Sequence, residues 1–409
     1  MTARRLAPDR TLLGDLVADL QTIGMNAGLD ACGVCSADPF EEAAVSLREG
    51  LEAGRDAGMQ FTYRNPSRST DPAVSLPGAR AMFVGAKDYA RSPRTLPTAS
   101  RPRASVAMYS WSDHYRTLRE ALGAVAHRIE EDGWKARVLV DDNALVDRAA
   151  AVRAGIGWYG RNTNVLLPRR GSFFVLGSVV TDAPIQPPDS GGTDAGSRGA
   201  GTSPRTMTPG PVPDGCGSCR RCVDSCPTGA LDGSGHLDAR LCLAWLLQAP
   251  GSFPRELRAV AGNRIYGCDD CQDSCPVNRA ALRRLPPSPA GEESQDSVDI
   301  FGLLASSDEE LLREHGRWYI PERDPSYLRR NALIALGNCG DPRSPMVESA
   351  LTSALRHPEP IVREHAVWAA ARLGRADLLD IVVDETDPAV LEELRAAGEV
   401  EVRETAAAP

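Results

Sequence analysis

Eight of the 11 cysteines in this 409-residue chain fall between Cys216 and Cys275, and their spacing sets the chemistry open to them. They run Cys216-x2-Cys219-x2-Cys222-x3-Cys226-Pro227, then Cys242, then Cys268-x2-Cys271-x3-Cys275-Pro276. The first run is the bacterial ferredoxin spacing, in which three thiolates wrap one 4Fe-4S cube and the fourth serves another. Two cubes need eight thiolates, and eight are present. Paired Cys-x2-Cys steps also build tetrahedral zinc sites, but zinc has no use for the third Cys-x2 step or for two Cys-Pro endings. The other three cysteines read as packing residues. Cys339 occupies an apolar position of a repeat described below, and Cys32 and Cys35 lie in a strand-like run, with a redox dithiol as the alternative for that pair.

A second candidate is acidic. Asp141 and Asp142 close the apolar run ARVLV, just ahead of a helical pattern over 143–154. From residue type alone they read as an N-cap and a solvated neighbour, and Asp147 reads as structural.

These groups need elements to hold them. The runs Ala81–Gly85, Ala136–Val140 and Phe173–Thr181 read as strands, alternating with helical patterns over 115–131 and 143–154. Such alternation indicates an α/β domain over 1–183. Residues 184–215, rich in Pro, Gly and Ser, read as a flexible insertion. A cysteine module follows over 216–284. Beyond it, Leu328–Gly340 aligns without gaps to Val362–Gly374, pairing Asn331 with His365 and Cys339 with Leu373. Recurring helices at this period indicate an α-solenoid of HEAT type over 301–400.

Composition bounds the class. With 42% hydrophobic residues the chain is neither disordered nor fibrous. No run approaches the roughly 20 apolar residues of a spanning helix, and the N-terminus lacks signal-peptide character, so a cytoplasmic protein with no membrane association is expected. The net charge of -9 is almost all in the last 33 residues, so it does not argue against a nucleic-acid partner. Between Arg313 and Arg330, five arginines (Arg313, Arg317, Arg323, Arg329, Arg330) lie among Trp318, Tyr319 and Tyr327. That is suitable chemistry for an RNA loop, or an ordinary solvated face with core aromatics.

The chain resembles the epoxyqueuosine reductases, cobalamin-dependent iron-sulfur enzymes of the last step of queuosine synthesis on tRNA. The resemblance is carried by DPAVSLPGARAMFVGAKDY, VDDNALVDRAAAVRAGIGWYGRNT, GSFFVLGSVVTD, CGSCRRCVDSCPTGAL, GNRIYGCDDCQDSCPVNR and RRNALIALGN. It implies an α/β cobalamin-binding domain, a ferredoxin-like module with two 4Fe-4S clusters, and a HEAT-like solenoid that helps hold the anticodon stem-loop. It also implies that Cys216, Cys219, Cys222 and Cys275 ligate one cube, and Cys226, Cys242, Cys268 and Cys271 the other. Asp141 matches the family's proton donor, which displaces the cap reading. A monomer served by an electron donor such as a flavodoxin or ferredoxin is expected. The chain departs from the family at His114 and Tyr115, which are exchanged, at Arg161 for Lys, at Ser178 for Glu, and over 315–328. These departures leave two alternatives: a corrinoid and iron-sulfur dependent reductase of another substrate, dehalogenase-like, or a plain ferredoxin-type electron carrier.

Overall fold

The computed structural model describes residues 10–92, 102–185, 215–286 and 296–406. Most of the expected insertion over 184–215 lies outside the described residues. Among them nine strands form: Ala31–Ser36 (β1), Ala81–Asp88 (β2), Arg103–Val106 (β3), Ala136–Val140 (β4), Trp158–Tyr159 (β5), Val165–Leu166 (β6), Phe174–Thr181 (β7), Arg264–Tyr266 (β8) and Ser297–Asp299 (β9). The chain divides into two units. The first takes Met1–Ser92, Asp113–Arg240 and Asp270–Pro286, the second Pro93–Ser112, Leu241–Asp269 and Pro287–Pro409. Of the stretch 216–284, residues 241–269 fall in the second unit and the rest in the first.

In the first unit the sheet order is β1-β2-β7-β4, antiparallel at every step. The alternation of strands and helices is as expected, but the sheet has no parallel pair. The central strands β2 and β7 read as continuous apolar runs because both faces are covered. One face meets the helix His114–Glu131, whose Leu118, Ala121, Leu122, Val125 and Ile129 form a buried stripe at three- and four-residue spacing. Gly85 and Gly177 stand opposite each other in the register; a Cβ at Gly85 would come within 3.0 Å of Leu122, so the pair lets that helix approach. On the other face Met82, Val84, Leu139 and Val180 pack with Cys35, Leu145, Ile156 and Val165. The helix expected from Asn143 begins only at Asp147.

In the second unit β3 pairs in parallel with β8 and antiparallel with β9. Against β8 stands the helix Ser326–Cys339, which packs on Pro360–Arg372, itself flanked by Pro345–Leu355 and Pro388–Ala406. The internal repeat is real in structure as well as in spelling, since equivalent positions hold the same segment. Asn331 donates through Nδ2 to the carbonyls of Leu247 (2.7 Å) and Ile265 (3.0 Å), and its equivalent His365 accepts the Phe253 N–H at 3.3 Å. The preceding pair does likewise: Arg330 donates to Ala249 (2.8 Å) and Leu246 (3.2 Å) carbonyls, and Glu364 binds Arg258 at 2.5 Å. Cys339, expected to be buried, is exposed at the end of its helix; the repeat alignment runs one residue past the packed face. No helix among the described residues is long and apolar enough to cross a membrane.

Candidate iron-sulfur and catalytic site

In the first unit two cysteine loops are joined by short polar bonds. Ser225 and Ser274 hydroxyls lie 2.7 Å apart, and Ser225 Oγ donates to the Asp270 carbonyl at 3.4 Å. Cys275 precedes the helix Pro276–Leu282 in extended conformation, with Pro276 at the first helical position, where a proline lacks nothing the helix needs. Cys216, Cys219, Cys222 and Cys275 come together: burial, then Cys216, Cys275 and Cys219 as neighbours, pushes the Cys222 thiol up to about 11. Four gathered cysteines of this kind fit one cube, which takes all its protein ligands as thiolates. Of the other four, Cys226 and Cys271 belong to this unit; Cys242, ahead of the turn Leu243–Leu246, and Cys268, after β8, belong to the second.

Both loops are anchored by residues that sequence reasoning had not assigned this role. Arg161 is buried, and its guanidinium donates to the carbonyls of Gly233 (2.8 Å) and Gly217 (2.9 Å). The departure from the family's Lys therefore clamps the loop of Cys216. Asn278, fully buried, accepts the Ser172 N–H at 2.7 Å and donates to Ser172 Oγ (3.0 Å) and the Gln272 carbonyl (2.8 Å). Gln272 in turn donates to the Ser172 carbonyl and hydroxyl, both at 3.0 Å. This neutral net ties the Cys271–Cys275 loop to the start of β7. Its only sequence signal was the position of both amides inside CQDSCPVN.

The acidic candidate lies at the end of β4. Asp141 has φ +52°, a conformation uncommon outside glycine, and it is exposed to solvent. The Asp142 side chain accepts the Ala144 N–H at 2.9 Å, forming a local turn. Neither acid caps the helix at Asp147, whose preceding residue Val146 makes no side-chain cap. The cap reading is thereby replaced. Burial pushes the Asp141 carboxyl up, Arg119 opposes this, and Asp142 adds to it. Asp147 lies well above its ordinary range through burial, reinforced by Asp141; sequence reasoning had left it structural. Arg119 also fixes the strand end by donating to the Val140 carbonyl at 3.1 Å.

Several other candidates resolve as packing. Cys32 and Cys35 stand opposite Gly85 and Met82, so they point to opposite faces of β1 and cannot bridge without backbone movement. Burial raises both thiols, Cys35 to about 12, against any thiolate role. His114 is buried with its ring 5.6 Å from Tyr89. Ser178 is fully buried, and its hydroxyl has no partner among the described residues.

In the arginine cluster of the second unit Arg329 and Arg330 are buried, while Arg313, Arg317 and Arg323 are exposed. Arg329 binds Asp308 (2.6 Å) and the Ser306 carbonyl, Arg330 binds carbonyls of 246–251, Arg317 holds Ser110, and Arg323 donates to Gly316 at 2.9 Å. Trp318 is buried in a stack, 4.6 Å from both Tyr266 and His315. Tertiary carbonyls, which a charge pattern does not reveal, take up these cations.

Comparison with known proteins agrees with this arrangement. Residues 215–278 match the 4Fe-4S double cluster binding domain, and 319–408 match HEAT repeats. Fold and cysteine pattern together define an iron-sulfur protein with a HEAT-repeat region. The epoxyqueuosine reductase of Bacillus cereus is 32% identical over 367 residues, 88% of each chain. A crystal structure of epoxyqueuosine reductase with an epoxyqueuosine-modified tRNA-Tyr stem loop superposes with a TM-score of 0.80 at 28% identity, covering 95% of this chain and 99% of that one. A Bacillus subtilis structure, in which the loop of a catalytic aspartate is swung out of the active site, gives 0.78 at 27%, covering 95% and 99%. This chain belongs to the epoxyqueuosine reductase family, and it is an iron-sulfur oxidoreductase.

Proposed function

We propose that this chain reduces the epoxide of epoxyqueuosine in the anticodon stem-loop of tRNA, giving queuosine. Two electrons and two protons convert the epoxide to an alkene and water. Cys216, Cys219, Cys222 and Cys275 hold one 4Fe-4S cluster, and Cys226, Cys242, Cys268 and Cys271 the other. Cobalamin, when bound, supplies a low-valent cobalt that passes the electrons to the substrate.

The observation that carries the reading is Asp141, an acid held at a strained, solvent-reachable turn with its carboxyl pushed up by burial. A carboxylic acid kept protonated is the right donor for the departing epoxide oxygen. Asp147 supports that state, because two neighbouring carboxyls resist ionising together. Arg119 holds the strand end that carries the acid. The electrons come from a flavodoxin or ferredoxin, and the enzyme acts as a monomer in the cytoplasm, where a reducing milieu preserves the thiolates.

The test is anaerobic reconstitution, assay for bound cobalamin, and mass spectrometry of an epoxyqueuosine-containing stem-loop. Asp141→Asn is expected to keep iron and cobalamin content while turnover falls at least about 100-fold. The wild-type rate should decline as pH rises through the raised pKa of Asp141, since the protonated form is the donor. A cobalamin-loaded enzyme that leaves this RNA unchanged would favour a corrinoid reductase of another substrate, and full activity in Asp141→Asn would return the residue to a structural turn.

A further inference from the structure

A cleft of 380 Å³ in the first unit is lined by Phe61, Arg64, Asn65, Arg68 and Asn143. Two features make it more than a surface dent. Its walls are fixed to the acidic turn: the Val146 N–H donates to the Ser69 carbonyl at 3.0 Å, joining the 141–146 loop to the short helix Pro66–Ser69. That helix is itself held by the Asn65 side chain on the Arg68 N–H (3.1 Å) and by Ser69 Oγ on the Thr62 carbonyl (3.0 Å). The second feature is charge. Arg64 and Arg68 are exposed, and among the described residues no ion pair joins either guanidinium to a carboxylate. Most other arginines of the molecule donate to internal carbonyls or carboxylates; these two face a cleft that reaches to within two residues of Asp141.

We propose that this cleft is the subsite for the RNA backbone beside the reacting nucleotide. Arg64 and Arg68 pair with phosphates, the Asn65 and Asn143 amides contact the sugar-phosphate chain, and the Phe61 ring lies against an unstacked base. Arginine for phosphate and an aromatic plane for a base is the usual means of holding single-stranded RNA. The inference rests on the tRNA reading above and adds the residues that would position the substrate. An acidic electron-donor protein is the competing occupant. It is disfavoured because no cluster cysteine lines this cleft, whereas Asn143 of the acidic turn does.

The experiment measures binding of a labelled, unmodified anticodon stem-loop to the reconstituted full chain over a range of salt, with reduction of the modified stem-loop assayed in parallel. Arg64→Gln and Arg68→Gln should each weaken binding several-fold and reduce the slope of log affinity against log salt by about 0.7, the double variant by about 1.4. Arg68→Lys should restore the slope, and Arg48→Gln, on the exposed face of the helix Glu41–Glu52, should leave it unchanged. An unchanged slope in the double variant overturns the proposal, as does an equal loss in Arg48→Gln. So does normal RNA binding with loss only of reduction by an acidic donor. A wild-type chain that binds RNA with this arginine-dependent slope but leaves epoxyqueuosine intact would sink the function and keep the subsite. Reduction with no change in slope would do the reverse.

Discussion

The segments that carry the cluster cysteines are held by opposite means in the two units. In the first, the Cys271–Cys275 loop is fixed by neutral amides and hydroxyls, Gln272 and Asn278 against Ser172. In the second, 241–269 is held by buried charge: Arg258 binds Glu364 at 2.5 Å and Glu393 at 3.0 Å, all three almost fully enclosed. Arg330, also buried, takes the carbonyls of 246–251. A neutral net tolerates loss of one member at the cost of an unpaired dipole, whereas a charged one leaves an uncompensated ion. The cysteine segment of the HEAT-bearing unit therefore depends on its repeats more steeply than the other depends on β7.

The largest expected effect follows from that difference. Replacing both Glu364 and Glu393 by Gln leaves Arg258 an uncompensated buried ion and should destabilise the second unit by about 3–5 kcal/mol, measured by denaturant unfolding. A cost below about 1 kcal/mol would make the two anchorages equivalent and remove the contrast. Asn278→Ala should cost about 1–3 kcal/mol, since it strands the buried Ser172 N–H. It should also lower the iron-to-protein ratio after reconstitution, and an unchanged ratio would show that the amide net serves the fold alone. The smallest change tests a polar atom outside both nets. Ser178→Ala removes a buried hydroxyl that has no partner among the described residues, so thermal unfolding should show no loss and a gain of up to about 1 kcal/mol.

The elements legible in the sequence were those with a local cause. The cysteine spacing, the apolar runs of β2, β4 and β7, and the repeat of Asn331 and His365 all come from short-range pattern, and each has its counterpart in the structure. What escaped was settled at long range or by a competing local bond. The helix expected from Asn143 is delayed to Asp147 because Asp142 bonds the Ala144 N–H and turns the chain instead. Of the arginines of 313–330, Arg329 and Arg330 are absorbed by carbonyls that a charge pattern does not show, while Arg313, Arg317 and Arg323 stay exposed. The place of 241–269 in the second unit is decided by β8 pairing with β3, a strand more than 150 residues earlier.

That strand imposes an order on biosynthesis. β3 leaves the ribosome early, yet Ser105 must wait for Arg264 and Arg103 for Asp299 before its edges are paired. The first unit waits too, for Asp270–Pro286. Pairings of such high contact order form slowly and leave an open strand edge during synthesis. Cluster loading therefore comes late, after nearly three quarters of the chain is made, and a fragment cut at the start of the HEAT region would keep the three-stranded sheet but strip it of the helix Ser326–Cys339 that packs on β8, leaving exposed apolar surface in both pieces.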